Sequence, residues 1–181
     1  MHKKVLTEVD LYTGEIQMPK GFDIDRDKIR NDIIESFVKK NRINTNPQAY
    51  AFDDYVVPYS QPLQWMQDYV RDHWRLDYNR TLVQKNMHGN VMHPKEKSWT
   101  RNQVEPVDLR NSPDYTLLYG VKVKDCMVKI HYEDNRRKGR SWDIPLTNNQ
   151  FIMFPSTNMY YLTNNQKDSL NFVQTITYEY I

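Results

Sequence analysis

Five His, one Cys and 23 Asp+Glu are the residues of this 181-residue chain that could hold a metal or carry acid–base chemistry. His131-Tyr132-Glu133 places an imidazole and a carboxylate two residues apart, on one face of any strand, where the pair could chelate. His88 and His93 bracket Gly89-Asn90-Val91-Met92, and His93 precedes Glu96. Their spacing fits no standard ligand pattern, and imidazoles on surface loops are the simpler account. His73, beside Trp74 in a helical pattern, reads as a histidine at the edge of a core. Cys126 has no His at a spacing useful for nucleophilic attack. A single Cys builds neither a disulfide nor a Cys-rich zinc or iron–sulfur site, so Cys126 reads as a small buried residue. Gly-x-Ser-x-Gly, phosphate-binding glycine loops and dinucleotide fingerprints are all absent from the sequence.

The elements that would position these residues fall into two halves. Val5, Val9 and Leu11, a Thr13-Gly14 turn, then Ile16 and Met18 predict a short strand pair. A helix follows from an Asp23 or Asp25 cap, with Ile29, Ile33, Phe37, Ile34 and Val38 at helical spacing, and fades near Asn41. Asn44–Tyr59, broken by Pro47 and Pro58, reads as a loop. A second helix opens at Ser60-Gln61-Pro62 and buries Leu63, Met66, Tyr69, Val70 and Trp74. From Thr81 onward, short runs rich in Val, Ile, Tyr and Thr predict strands at Leu82–Asn86, Tyr115–Val123, Met127–Tyr132, Gln150–Phe154, Tyr160–Thr163 and Leu170–Ile181. Helices followed by many short strands predict a single α+β domain over 1–181. In it, 1–80 supplies a strand pair and helices, and 81–181 forms an antiparallel sandwich or barrel.

The second half also carries a resemblance. Asp114-Tyr115-Thr116-Leu117-Leu118-Tyr119, then Val128–Glu133, then Asn149-Gln150-Phe151-Ile152-Met153-Phe154-Pro155-Ser156, then Tyr160, follow one another in a recognisable order. In this it resembles the iron(II)/2-oxoglutarate oxygenases, particularly the prolyl-hydroxylase-like proteins of tailed-phage genomes. The resemblance covers about the last hundred residues and implies a double-stranded β-helix (jelly-roll) core with the two N-terminal helices packed on it. In that family an His-x-Asp metal motif precedes the first of these strands, and the Phe-Pro-Ser bend delivers a distal His. An Arg or Lys on the last strand grips the cosubstrate carboxylate. Here Pro106-Val107-Asp108 stands where His-x-Asp is expected, and Tyr160 stands where the distal His is expected. No cation follows Lys167. Three departures together imply a fold kept while its metal chemistry was lost, with no cofactor. The rival reading keeps an active iron(II)/2-oxoglutarate-dependent dioxygenase with displaced ligands, drawn from His93, Glu96, Asp108 and His131.

Charge and aromatic content bear on partners. Lys+Arg number 25, leaving a net charge of +2 and no global electrostatic case for nucleic acid or membrane binding. No run approaches the ~18 apolar residues of a membrane span, and the charged start Met1-His2-Lys3-Lys4 does not read as a signal peptide. Aromatics make up 13% of residues, with 13 Tyr, too many for a disordered chain. Tyr50, Phe52, Tyr55 and Tyr59, in the long Asn44–Tyr59 segment, together with Trp99, are candidates for a subunit interface; covering the sandwich is the alternative. Arg136, Arg137, Lys138 and Arg140 form a basic run between predicted strands, either a contact surface for an acidic partner or a solvated hairpin loop. These features predict a non-enzymatic structural or interaction protein. Its expected setting is a phage virion (neck, tail or baseplate) assembled in the host cytoplasm, as a homo-oligomer or with other protein subunits. A sugar- or peptide-binding β-sandwich using Trp and Tyr as stacking platforms is a third class.

Overall fold

The computed structural model describes residues 9–17, 26–43, 55–56, 61–135 and 138–181. Two helices, α1 (Arg26–Ile43) and α2 (Gln61–Tyr78), accompany nine strands. These are β1 (Tyr12–Glu15), β2 (Tyr55–Val56), β3 (Leu82–Met92), β4 (Tyr115–Lys122), β5 (Cys126–Asn135), β6 (Lys138–Leu146), β7 (Gln150–Pro155), β8 (Tyr160–Asn164) and β9 (Asn171–Tyr180). They pair in a six-stranded sheet of order β1-β7-β4-β9-β3-β2 and a three-stranded sheet of order β6-β5-β8. Every pairing is antiparallel. Isolated bridges from Lys97 to Thr163 and from Arg101 to Tyr160 extend the smaller sheet beyond β8. The architecture is the α+β double-stranded β-helix that the resemblance implies.

The period-2 alternation of the strands divides the interior in two. Leu117, Tyr119 and Val121 of β4 and Phe172, Ile176 and Tyr178 of β9 share one apolar cluster with Ile29 of α1 and Met66, Val70 and Trp74 of α2. Their neighbours Leu118 and Val173 point the other way, into a cluster with Val128, Ile130, Leu162 and Tyr160 of the smaller sheet. Helices therefore cover the outer face of the large sheet, while its inner face meets the small sheet. The predicted stripe of α2 is buried at Met66, Val70 and Trp74, each worth about 1.5–3 kcal/mol. On α1, Ile29 is buried, whereas Ile34 and Val38, also placed in the stripe by their spacing, are exposed.

Two local expectations are corrected. Thr13-Gly14 is not a turn: both residues lie inside β1, which pairs with β7 at Thr13↔Ile152 and Gly14↔Phe151. The glycine is needed for close approach, because a Cβ there would come 2.5 Å from the Phe151 ring. The basic run expected between strands lies partly within one: β6, paired with β5, begins at Lys138 and includes Arg140. Within the Asn44–Tyr59 segment, Tyr55 and Val56 form β2 against β3. No described helix is long and apolar enough to cross a membrane.

Candidate functional site

The inner face of the large sheet is polar at one end. Asn90 of β3 is buried and donates through Nδ2 to Thr175 Oγ1 (2.6 Å) on β9. Thr116 and Ser156, both fully buried, share a hydroxyl–hydroxyl bond of 2.8 Å. Facing this row is Tyr160, the first residue of β8, delivered by the Pro155–Asn158 turn, in which the Asn158 N–H donates to the Pro155 carbonyl. Its ring is fully buried and packs edge-on against Phe154 (5.1 Å).

The segment across from Tyr160 is held by a reciprocal pair of backbone bonds. The Arg101 N–H donates to the Tyr160 carbonyl (2.9 Å), and the Tyr160 N–H donates to the Arg101 carbonyl (2.8 Å). Two residues on, the Gln103 N–H donates to the Ser156 carbonyl. The Gln103 side-chain amide then donates to the Tyr160 hydroxyl (2.7 Å). The Arg101 guanidinium lies 5.8 Å from the Tyr160 ring centroid and donates to Asn90 Oδ1 (2.8 Å). A chain of side chains, Thr175–Asn90–Arg101, thus runs from one sheet to the other beside Gln103–Tyr160.

Iron(II) in this fold would call for imidazole and carboxylate ligands around open coordination sites. The side chains that meet at Tyr160 are instead a phenol, a primary amide and a guanidinium. A guanidinium stays protonated and offers no lone pair. The amide already points its N–H group at the phenol. This donor set does not fit iron(II).

The residues singled out by sequence are dispersed. His93 is exposed, and its backbone N–H donates to the Glu96 carboxylate, whose pKa is raised chiefly by burial. Asp108 caps the 3₁₀ turn Leu109–Asn111, accepting from Asn111 N (3.3 Å) and Nδ2 (2.6 Å). His131 follows the inward-facing Ile130 on β5; its ring is 5.7 Å from Tyr161 and its backbone N–H donates to the Met159 carbonyl. Among the described residues no three His, Cys, Asp or Glu form a group able to hold a metal ion. His73 stacks on Tyr69 at 4.1 Å, with Nδ1 at 2.8 Å from the Tyr69 carbonyl. Cys126 is buried, and burial pushes its thiol up to about 12. Trp99 is exposed. Tyr50, Phe52, Tyr59, Arg136 and Arg137 lie outside the described residues; Tyr55 falls in β2, and Arg140 is exposed on β6.

Sequence reasoning missed Asn90, Arg101, Gln103 and Thr175. It sought the first metal motif immediately before Asp114, at Pro106–Asp108. That stretch is a loop with a 3₁₀ turn, and the backbone that faces β8 lies earlier, at 97–103. The signal available was a polar pair at i and i+2 in a segment with no aliphatic alternation.

A second feature lies at the sandwich edge. The inner face of the β5–β6 hairpin runs past the core, from buried Ile130 to exposed Tyr132 and Trp142. With Leu11, Tyr12, Tyr78 and Phe154 these residues line an open cleft of about 620 Å³. Among the described residues, β1 and β6, which flank it, each have one paired edge only.

The fold defines a class. Solved structures of iron(II)/2-oxoglutarate oxygenases share this fold. The chain superposes on a prolyl-4-hydroxylase of Pseudomonas putida with a TM-score of 0.59 and 12% identity, covering 93% of this chain and 91% of that one. It matches the non-heme alpha ketoglutarate dependent carbocyclase SnoK from nogalamycin biosynthesis with a TM-score of 0.62 and 10% identity, covering 93% and 78%. AviO1 from Streptomyces viridochromogenes Tue57 gives a TM-score of 0.61 and 10% identity over 93% and 89%. No family model matches the chain, and no curated protein matches its sequence. At these identities the likeness is one of fold.

Proposed function

We propose that this chain is a non-enzymatic structural or interaction protein built on an oxygenase-type fold, and that it serves as a component of a phage particle. The observation that carries the first part is the donor set at Tyr160: a phenol bonded to Gln103 with the Arg101 guanidinium beside it. The virion setting is supported by the resemblance of the Tyr115–Tyr160 region to the oxygenase-like proteins of tailed phages.

The contact surface that fits this role is the aromatic cleft of Tyr12, Tyr78, Tyr132 and Trp142. Its occupant is an extended segment of a neighbouring subunit. Among the described residues, β1 and β6 each have an edge that pairs with no strand, offering backbone pairing on either side of the cleft, and the rings offer anchor pockets for apolar side chains. Buried aromatic anchors of this kind dominate binding energy at interfaces.

Two measurements test the reading. The purified chain, given iron(II), 2-oxoglutarate and oxygen, is expected to form no succinate above a protein-free control; catalytic turnover contradicts the proposal. Sedimentation of the Tyr132→Ala/Trp142→Ala variant is expected to show self-association or partner association weakened about tenfold or more, with an unchanged monomer. Association at parental strength removes the cleft from the account.

A further inference from the structure

We infer that Arg101, Gln103 and Tyr160 occupy the three positions at which this fold carries its metal ligands, so that a guanidinium has taken the place of the metal's positive charge. The inference deepens the proposed function and rests on it, because it says what replaced the metal.

Three observations converge. Tyr160 opens β8 just after the Phe-Pro-Ser bend, where the resemblance implies the distal imidazole. Arg101 is its antiparallel bridge partner, joined by both backbone bonds, so the two Cα atoms stand directly opposite each other. Gln103 is two residues along, on the same side as Arg101 by the period of an extended chain, and its amide reaches the Tyr160 hydroxyl. An i, i+2 pair facing the first residue of β8 has the spacing of His-x-Asp facing a distal His. Pro106–Asp108 lacks this relation, since Asp108 is spent on the exposed turn at Asn111.

The replacement is chemically coherent. Here Arg101, anchored by its backbone to β8, reaches across to Asn90 of β3, which in turn holds Thr175 of β9. The cation therefore links the two sheets through hydrogen bonds. The hydroxyl of Thr175 and the amide of Asn90 complete a polar interior in which no carboxylate is needed.

The inference is tested by putting ligands back. In the full chain, the triple variant Arg101→His/Gln103→Asp/Tyr160→His is titrated anaerobically with cobalt(II) alone and followed by its visible d–d absorption. The expected result is saturable one-to-one binding, about a hundredfold or more tighter than that of the parent. A folded triple variant that binds no better than the parent overturns the assignment. If instead the parent itself binds cobalt(II) tightly, the non-enzymatic reading fails, so the two failures are distinct. Should the triple variant not fold, Arg101→His/Gln103→Asp retains Tyr160 as a phenolate ligand. With iron(III) it is expected to give the visible phenolate-to-iron charge-transfer band that the parent lacks, and absence of the band overturns the inference.

Discussion

Tyr160 and Tyr178 are both fully buried, yet they stand in interiors of opposite kind. Tyr178 lies between the large sheet and the helices, among Leu117, Ile176, Met66, Val70 and Trp74. Its hydroxyl, the Trp74 indole N–H and the Gln174 side-chain carbonyl oxygen have no hydrogen-bond partner among the described residues. Tyr160 lies between the two sheets, and its hydroxyl is bonded to Gln103 beside a guanidinium. The first interior is held by apolar volume, with those three buried polar atoms left unbonded among the described residues. The second is held by polar complementarity.

This contrast can be broken by substitution. The largest effect is expected in the helix-facing interior. Leu117→Ala removes a fully buried side chain and should cost about 3 kcal/mol, read from chemical denaturation. Arg101→Met should cost about 2 kcal/mol, because it leaves Asn90 Oδ1 buried without its charged donor. The two tyrosines separate the interiors most sharply. Tyr160→Phe strips the Gln103 amide of its acceptor and should destabilise by about 1 kcal/mol, whereas Tyr178→Phe should be neutral or slightly stabilising. Equal losses in the two variants would dissolve the distinction.

Alkaline pH probes burial in both regions together. Burial raises the pKa of Tyr178, and it pushes the Cys126 thiol up to about 12, opposed by the Asn171 side chain. The unfolded thiol ionises near about pH 8.5, so above that pH the unfolded state loses its proton while the folded state keeps it. Stability contributed by the buried neutral thiol is therefore complete below about pH 8.5 and declines as pH rises toward 12. Unfolding measured across this range should show that decline, and Cys126→Ala should make it shallower.

Much of the fold is legible in the sequence because alternation and helical spacing report burial directly. The stripe Met66–Val70–Trp74 and the alternating Phe172–Tyr180 segment give α2 and β9 as they stand. β6 escaped because Lys138, Gly139 and Arg140 lead into it and Pro145 interrupts it; an edge strand can carry such residues, since one of its sides needs no partner. β1 escaped because Gly14 signals a turn when read locally, and only the approach of the Phe151 ring explains it. At the candidate site, Tyr160 was legible from the bend before it. Arg101 and Gln103 were not, because their relation to Tyr160 is a register across strands and not a spacing along the chain.

In the proposed exchange, a guanidinium, an amide and a phenol stand where this oxygenase-type fold would hold a metal. Anaerobic calorimetric titration of the intact chain with iron(II) in the presence of 2-oxoglutarate tests it most directly. The account predicts no saturable heat. Stoichiometric binding at micromolar concentration would contradict it.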